Sequence, residues 1–396
     1  MSAANAYARA GVDTAAGDRA VELMKSAVVA TQGSEVIADA SGFAGLYDFA
    51  SLPRLERPLL ATSTDGVGTK VQIAKALQIY DTVGFDLVGM VVDDLTPLGA
   101  KPLFMTDYIA CGHVVPERIA AIVRGVANAC KAVDCALVAG ETAEHPGVIA
   151  PDDFDIAGAA TGVVDAPRIL GPKRVYAGDM LVGLASSGLH SNGYSLVRRI
   201  VADNDLSWDD PIDSRYGVVP HGDSPFAAQP YTLGLALLEP TRLYSQLCLD
   251  LEAQGYELAQ ESADFSGCLH GNRVHAFAHV TGGGLAANLC RIIPAGLHAV
   301  VDRGAWQVPG IFKYLMNAGA LDIISAEDTW NLGIGMVAVV HPDFVSATEA
   351  LARQYAIDAF VIGRVGDTPP DRDGRVVTGT KGVNGGSVTL CGDYRL

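Results

Sequence analysis

Short apolar runs of β character, each closed by glycine, alternate along this chain with longer runs of helical period, and that alternation restricts the fold more than any other feature. Leu59–Thr64, Pro102–Ala110, Ala136–Gly140 and Asp155–Val164 read as strands, with helices over Val83–Leu98 and Ile119–Val133 between them. Elements in that order pack as α/β layers. Pro167, Gly171 and Pro172 interrupt the pattern, and then it restarts. Strands are expected at Met180–Ala185, Val274–His279, His298–Val301, Gly335–Val340 and Phe360–Val365. Helices are expected at Tyr194–Val201, Leu235–Ala253, Leu285–Ile292, Ile311–Ala318 and Ser346–Tyr355. The expectation is therefore two α/β domains, residues 1–167 and 168–366, with an extra tail at 367–396. Asn204–Pro230 and Asp367–Leu396 fit neither block and read as surface insertions or flexible segments.

With 396 residues, 49% of them hydrophobic, the chain has material for more than one core. Its net charge of -17 repels a polyanion, which argues against nucleic acid or an anionic membrane as partner. An acidic chain that handles anionic metabolites needs local compensation from a few Lys or Arg, from backbone N–H groups, or from a bound cation. Seven cysteines, none in a Cys-x-x-Cys pair, argue against a zinc site or a disulfide framework. No apolar run approaches the roughly 20 residues of a membrane span, and no leader pattern opens the chain, so a cytoplasmic location is expected.

Five loops carry chemistry. Thr64-Asp65-Gly66-Val67-Gly68-Thr69-Lys70 follows a strand and precedes a helix, where free N–H groups and the helix dipole favour an anion. Gly66 and Gly68 let backbone approach phosphate oxygens, Lys70 is placed to neutralise one, and Asp65 offers oxygen to a hard cation. The spacing is not that of a P-loop, and an ordinary Asp-Gly turn stays open. Asp93-Asp94 closes an apolar helical run, where at most one of the two acids faces inward. A pair of solvated acids is the alternative to a metal role. Gly140-Glu141-Thr142 leaves a strand, and ligands of α/β sheets collect beyond strand carboxyl ends. Asp65, Asp94 and Glu141 are thus candidates for one oxygen cage around Mg²⁺, against the plain reading of a strand-to-helix turn. Ser186–Gly193 and His279–Gly284 each follow a strand and open a helix, again presenting N–H groups to an anion. Taken together, the five loops suggest one cleft shared by both domains.

Set side by side, Ser63–Lys70, Asp81–Asp86, Val92–Leu95, Pro102–Phe104, Gly140–Gly147, Ser186–Leu196 and Thr281–Leu285 resemble phosphoribosylformylglycinamidine cyclo-ligases, the aminoimidazole ribonucleotide synthetases. The order and spacing match from about Tyr7 to Val365, including the opening Tyr7–Asp13. The resemblance implies a homodimer whose first domains join their sheets into a barrel, with Mg²⁺ and ATP as cofactors. It implies an ATP site from Lys25, Asp65, Gly66, Gly68, Thr69, Lys70, Asp94, Gly140, Glu141 and Thr142. Substrate contacts are implied for Ser191, Asn192, Thr281, Gly282 and Gly283, with His190 and His279 at the reacting groups. The sequence departs from the family at Asp93, where asparagine is usual, at His145, where methionine is common, and across Thr329–Gly333.

The reaction so implied is closure of the imidazole ring of formylglycinamidine ribonucleotide, a step of purine biosynthesis. Phosphorylation by ATP turns a poorly departing formamide oxygen into phosphate, and catalysis of such a transfer is chiefly positioning and charge neutralisation. Either imidazole titrates near neutrality and is a candidate to move the proton lost on cyclisation. For both histidines a structural role stands beside the catalytic one. Selenophosphate synthetases and thiamine-phosphate kinases share the architecture; the former carry a reactive residue near the N-terminus, and here no cysteine precedes Cys111. A non-catalytic nucleotide-binding paralogue is the reading from another class.

Overall fold

The strand and helix signals resolve into two units, Met1–Leu95 with Lys101–Pro167, and Thr96–Ala100 with Arg168–Leu396. The structure, a computed structural model, describes residues 11–37, 43–212, 214–220, 222–261, 271–371, 373–379, 383 and 385–396. The first four residues of the Tyr7 motif, and Cys268, lie outside these.

In the first unit, α1 (Thr14–Val29) starts at Asp13, whose side chain accepts from Ala16 N–H. A small antiparallel ribbon, β1 (Val36–Ile37) with β2 (Leu46–Tyr47), leads to β3 (Pro58–Gly66), α2 (Val71–Leu77) and α3 (Val83–Val92). Then come β4 (Lys101–Cys111), α4 (Pro116–Ala132), β5 (Ala136–Glu144) and β6 (Phe154–Asp165). Among the described residues the main sheet runs β3-β6-β4-β5, with β4 and β5 parallel and the other pairs antiparallel. Burial alternates along β4: Met105, Asp107, Ile109 and Cys111 are buried, while Phe104, Thr106, Tyr108 and Ala110 are not. The buried parity faces the helices. Leu87 of α3 lies against Gly158, and Cys130 of α4 against Met105. α3 crosses α4 where Gly84 meets Gly125, since a Cβ on Gly84 would stand 2.1 Å from backbone.

Two boundaries correct the sequence reading. α3 ends at Val92 and not at Leu98, because Pro97 disfavours helical geometry at Thr96 and a 3-10 turn over Thr96–Leu98 follows. β5 runs through to Glu144, so Glu141 and Thr142 sit within a strand and not beyond its end.

In the second unit, β7 (Met180–Ala185) is followed by α5 (Tyr194–Asp203), α6 (Leu233–Leu238), α7 (Ser245–Glu261), β8 (Val274–His279) and α8 (Gly284–Leu289). The expected helix Leu235–Ala253 is two helices, because Pro240 cannot continue the first. After these come β9 (His298–Asp302), α9 (Gly310–Ala318), α10 (Ile323–Thr329), β10 (Ile334–Val340), α11 (Val345–Gln354), β11 (Ala359–Gly366), β12 (Gly374–Thr378) and β13 (Ser387–Cys391). Among the described residues the seven strands run β12-β13-β9-β11-β7-β10-β8, and every pair of these but β13–β9 is antiparallel. Tyr244, Leu247, Leu251 and Phe344 fill the core on one side of the sheet, and Leu285, Leu289, Ile293 and Trp306 that on the other.

The tail is no appendage. All five residues of β13 are buried, and the strand sits between β12 and β9. Arg375 of β12 and Arg303 both bind Glu327 of α10, at 3.0 and 2.6 Å. The expectation of a flexible tail fails because Val388 and Leu390 belong to the core.

Candidate active site

β7 and β8 both pair antiparallel with β10, so both end at the edge of the sheet where β10 begins. Three loops therefore meet there, Ser186–Gly193, Val280–Gly283 and the approach to β10 through Asn331. Contact between the first two is direct: a Cβ on Gly282 would stand 3.2 Å from Asn192 Oδ1. Gly283 and Gly284 have φ of 95° and 72°, and a Cβ on Gly284 would meet the Glu327 carbonyl at 1.7 Å, so only glycine fits. Asn288, buried on α8, ties this turn together. Its Nδ2 donates to the carbonyls of Thr281 and Gly284 at 3.1 and 2.8 Å, and Thr281 Oγ1 donates to its Oδ1.

His190 is buried, with φ at 63° in the left-handed region. Its ring packs against Tyr244 at 6.0 Å between centroids, and its Cε1 faces Gly335. Ser187 N–H donates to Nε2 at 3.2 Å. A nitrogen that accepts is unprotonated, so the neutral ring carries its proton on Nδ1. Ser191 is also buried, its Oγ 3.4 Å from Thr241 Oγ1, and His279 is buried at the end of β8. Asn192, Thr281, Gly282 and Gly283 are half-buried and face the loop junction. α5 starts beside them, and Gly193 at its N-cap has no side chain to occupy the first N–H groups. Buried hydroxyls, an imidazole and helix N–H groups around one turn suit an anionic, hydrogen-bonding ligand.

In the first unit, Asp65 is exposed near the end of β3 and accepts from Gly66 N–H at 2.7 Å. Gly68 has φ of 72° with open space on its Cβ side, Thr69 is half-buried, and Asp94 is half-buried beside the buried Asp93. Lys25 is exposed on α1, the helix that packs on α4. Gly140 lies against Asp107, whose Oδ1 a Cβ would approach to 2.3 Å. Burial pushes the Asp107 carboxyl up to about 7, a hydrogen bond from its own backbone opposing the shift.

The expected oxygen cage is not assembled. Among the described residues no three His, Cys, Asp or Glu side chains group to hold a metal. Ladder register gives the reason. Asp65, Gly158, Asp107 and Gly140 form one row across the sheet, whereas Glu141 shares the next row with Tyr108, Ala157 and Gly66. Successive rows point to opposite faces, and three strand spacings put about 14 Å between the two carboxylates' backbones. Asp94 adjoins Leu95, which packs on Gly162, four residues along β6 from the Asp65 row. Lys70 also departs from expectation. It is fully buried with Nζ 2.7 Å from Asp86, so its charge neutralises a protein carboxylate instead of standing ready for phosphate.

Residues 47–164 match the family model for the AIR synthase related protein N-terminal domain, and residues 252–372 that for its C-terminal domain. Phosphoribosylformylglycinamidine cyclo-ligase of Thermosynechococcus vestitus is 42% identical over 91% of this chain and 96% of its own length. The protein of that name from Sorangium cellulosum is 43% identical over 92% and 97%. Among solved structures, thiamine-monophosphate kinase from Stenotrophomonas maltophilia K279a shares the fold with a TM-score of 0.62 at 17% identity, covering 94% of this chain and 95% of that one. The hydrogenase maturation protein HypE in complex with ATP shares it at a TM-score of 0.54 and 16% identity, covering 92% and 88%. With two domain models matched and 42% identity across nearly the whole of a curated relative, the chain belongs to the phosphoribosylformylglycinamidine cyclo-ligase family of enzymes.

Proposed function

We propose that this enzyme closes the imidazole ring of formylglycinamidine ribonucleotide at the expense of ATP, yielding aminoimidazole ribonucleotide, ADP and phosphate; the name of its relatives supports the substrate and the ring closure. The observation that carries the reading is the junction of the Ser186–Gly193 and Thr281–Gly284 turns around Asn192 and Gly282. It offers N–H groups and hydroxyls to a substrate that is itself a phosphate ester. Ser191, Asn192, Thr281, Gly282 and Gly283 hold the ribonucleotide in this reading. His190, with Nε2 engaged by backbone, is assigned in this reading to the reacting groups through its Nδ1–H, and His279, at the end of β8, is assigned there with it.

ATP is assigned to the first unit, at Asp65, Gly66, Gly68 and Thr69 with Asp94, Gly140 and Thr142; Glu141, which points to the other face of the sheet, is not part of this site. Exposed or half-buried carboxylates without a preformed cage fit Mg²⁺, which takes one or two protein oxygens and completes its shell with water and substrate phosphates. When bound, the ion would neutralise charge on the triphosphate. Gly68 leaves open space for a phosphate oxygen to approach the backbone. The γ-phosphoryl group passes from ATP to the formamide oxygen with release of ADP, the ribose-bearing amidine nitrogen attacks that carbon, and phosphate leaves as the nitrogen gives up its proton.

A coupled assay for aminoimidazole ribonucleotide from formylglycinamidine ribonucleotide and ATP tests the reading. Product in step with ADP is expected, and Asp94→Asn should lower turnover by roughly two orders of magnitude or more with the fold intact. A folded parent that consumes no ATP with this substrate, or an Asp94→Asn enzyme as active as the parent at low Mg²⁺, would overturn it.

A further inference from the structure

His190 holds a left-handed backbone conformation, φ 63°, that is unfavourable for a non-glycine residue, and such a conformation persists only where its surroundings over-determine it. The side chain that does so comes from the approach to β10. Asn331 is 4% exposed, and both its polar atoms are engaged. Its Oδ1 accepts from Ser186 Oγ at 3.2 Å and from Gly333 N–H at 2.8 Å, while its Nδ2 donates to the Gly188 carbonyl at 2.8 Å. Ser186 N–H in turn donates to the Gly333 carbonyl at 2.9 Å. The bonds to Ser186 and Gly188 bracket Ser187, the residue whose N–H meets the His190 ring.

We propose that Asn331 is a positioning residue for His190: it holds the Ser186–His190 turn in the one shape that points Ser187 N–H at Nε2, and so fixes Nδ1 as the protonated nitrogen. Tyr244 donates its hydroxyl to the Ala185 carbonyl at 2.8 Å, and Glu239, near Gly188, accepts from Ser224 and Tyr231, both at 2.9 Å. The turn that presents Ser187 N–H to the ring is thus held through Asn331. Only the activity half of the test below rests on the proposed ring closure.

Imidazole ¹⁵N shifts of the full-length enzyme near neutral pH, with the His190 signals assigned by their loss in His190→Gln, read the tautomer directly. The parent should show a bare, accepting Nε2. Asn331→Ala should show a mixture of tautomers, with kcat for ring closure down roughly 10- to 100-fold while KM for ATP changes little. Asn331→Asp keeps both accepted bonds and loses the donation to Gly188, so it should fall between the two and serves as the folded variant if the alanine does not fold. An unchanged Nε2 signature in a folded Asn331 variant overturns the inference, whatever the activity. A lost signature with unchanged turnover upholds the positioning and removes His190 from the reaction.

Discussion

Asp107 illustrates how a single side chain departs from its ordinary chemistry when a sheet packs under helices. It occupies the buried parity of β4 between Met105 and Ile109, and desolvation raises its carboxyl to about 7. An unfolded aspartate titrates near 3.8. Between these values the folded chain holds a proton that the unfolded chain has lost. Stability from this group is therefore complete below about pH 4 and is lost as pH rises through about 7. A shift of that size corresponds to at most about 4 kcal/mol. Asp107→Asn removes the effect, so its melting temperature relative to the parent should climb from about pH 4 to about pH 7 and level off above that. An equal offset at pH 5 and pH 8 would show that the carboxyl ionises normally in the fold. Position 107 was legible in principle, because an acid on the inward parity of an alternating run is a violation of pattern. Lys70 was not: its place in a glycine loop reads as a phosphate ligand, and only the fold of Asp86 onto it reveals an ion pair.

Among the elements, strands were read more closely than helices. Met180–Ala185 and Val274–His279 match the expected ranges, because bounded apolar runs mark both ends. Helix ends at Val92 and Leu238 were overrun, since hydrophobic period continues across Pro97 and Pro240 while the backbone cannot. Glu141 was placed beyond a strand for the opposite reason. β5 continues through polar residues at a sheet edge, where pairing with β4 and not hydrophobicity sustains it. The clamping roles of Asn288 and Asn331 are not legible in the sequence, where Asn331 stands only within the Thr329–Gly333 departure from the family, because nothing local marks an asparagine whose partners are loop carbonyls. The tail was misread because β13 pairs with β9, some ninety residues earlier, and composition rich in Gly and Thr hides that long-range contact. If the strand is core, Leu390→Ala should cost about 2–5 kcal/mol of stability. The midpoint of urea unfolding measures it; an unmoved midpoint would return the tail to the surface.

At the scale of the whole molecule, the first unit leaves one side of its four-stranded sheet without a helix layer among the described residues. Leu60, Thr62 and Thr64 of β3 share that side with Ala157, Ala159 and Thr161 of β6 and with Thr106 and Tyr108 of β4, while Phe104 on the same side is covered by Tyr47 of β2. Leu60 is 66% and Tyr108 41% exposed. An open face of alanines, threonines and large apolar groups is expensive in water, and a second copy of the same sheet is the partner that covers it symmetrically. The homodimer implied by the family is therefore placed, as a proposal, on this face. Leu60→Glu introduces two like charges into a two-fold interface and should convert the dimer to monomer in light scattering. The net charge of -17 on each chain makes salt a second probe. Repulsion between the copies is screened as ionic strength rises while apolar burial is not, so the parent dimer should tighten with salt. A parent that is monomeric at every salt concentration, or a Leu60→Glu protein that stays dimeric, would move the interface elsewhere.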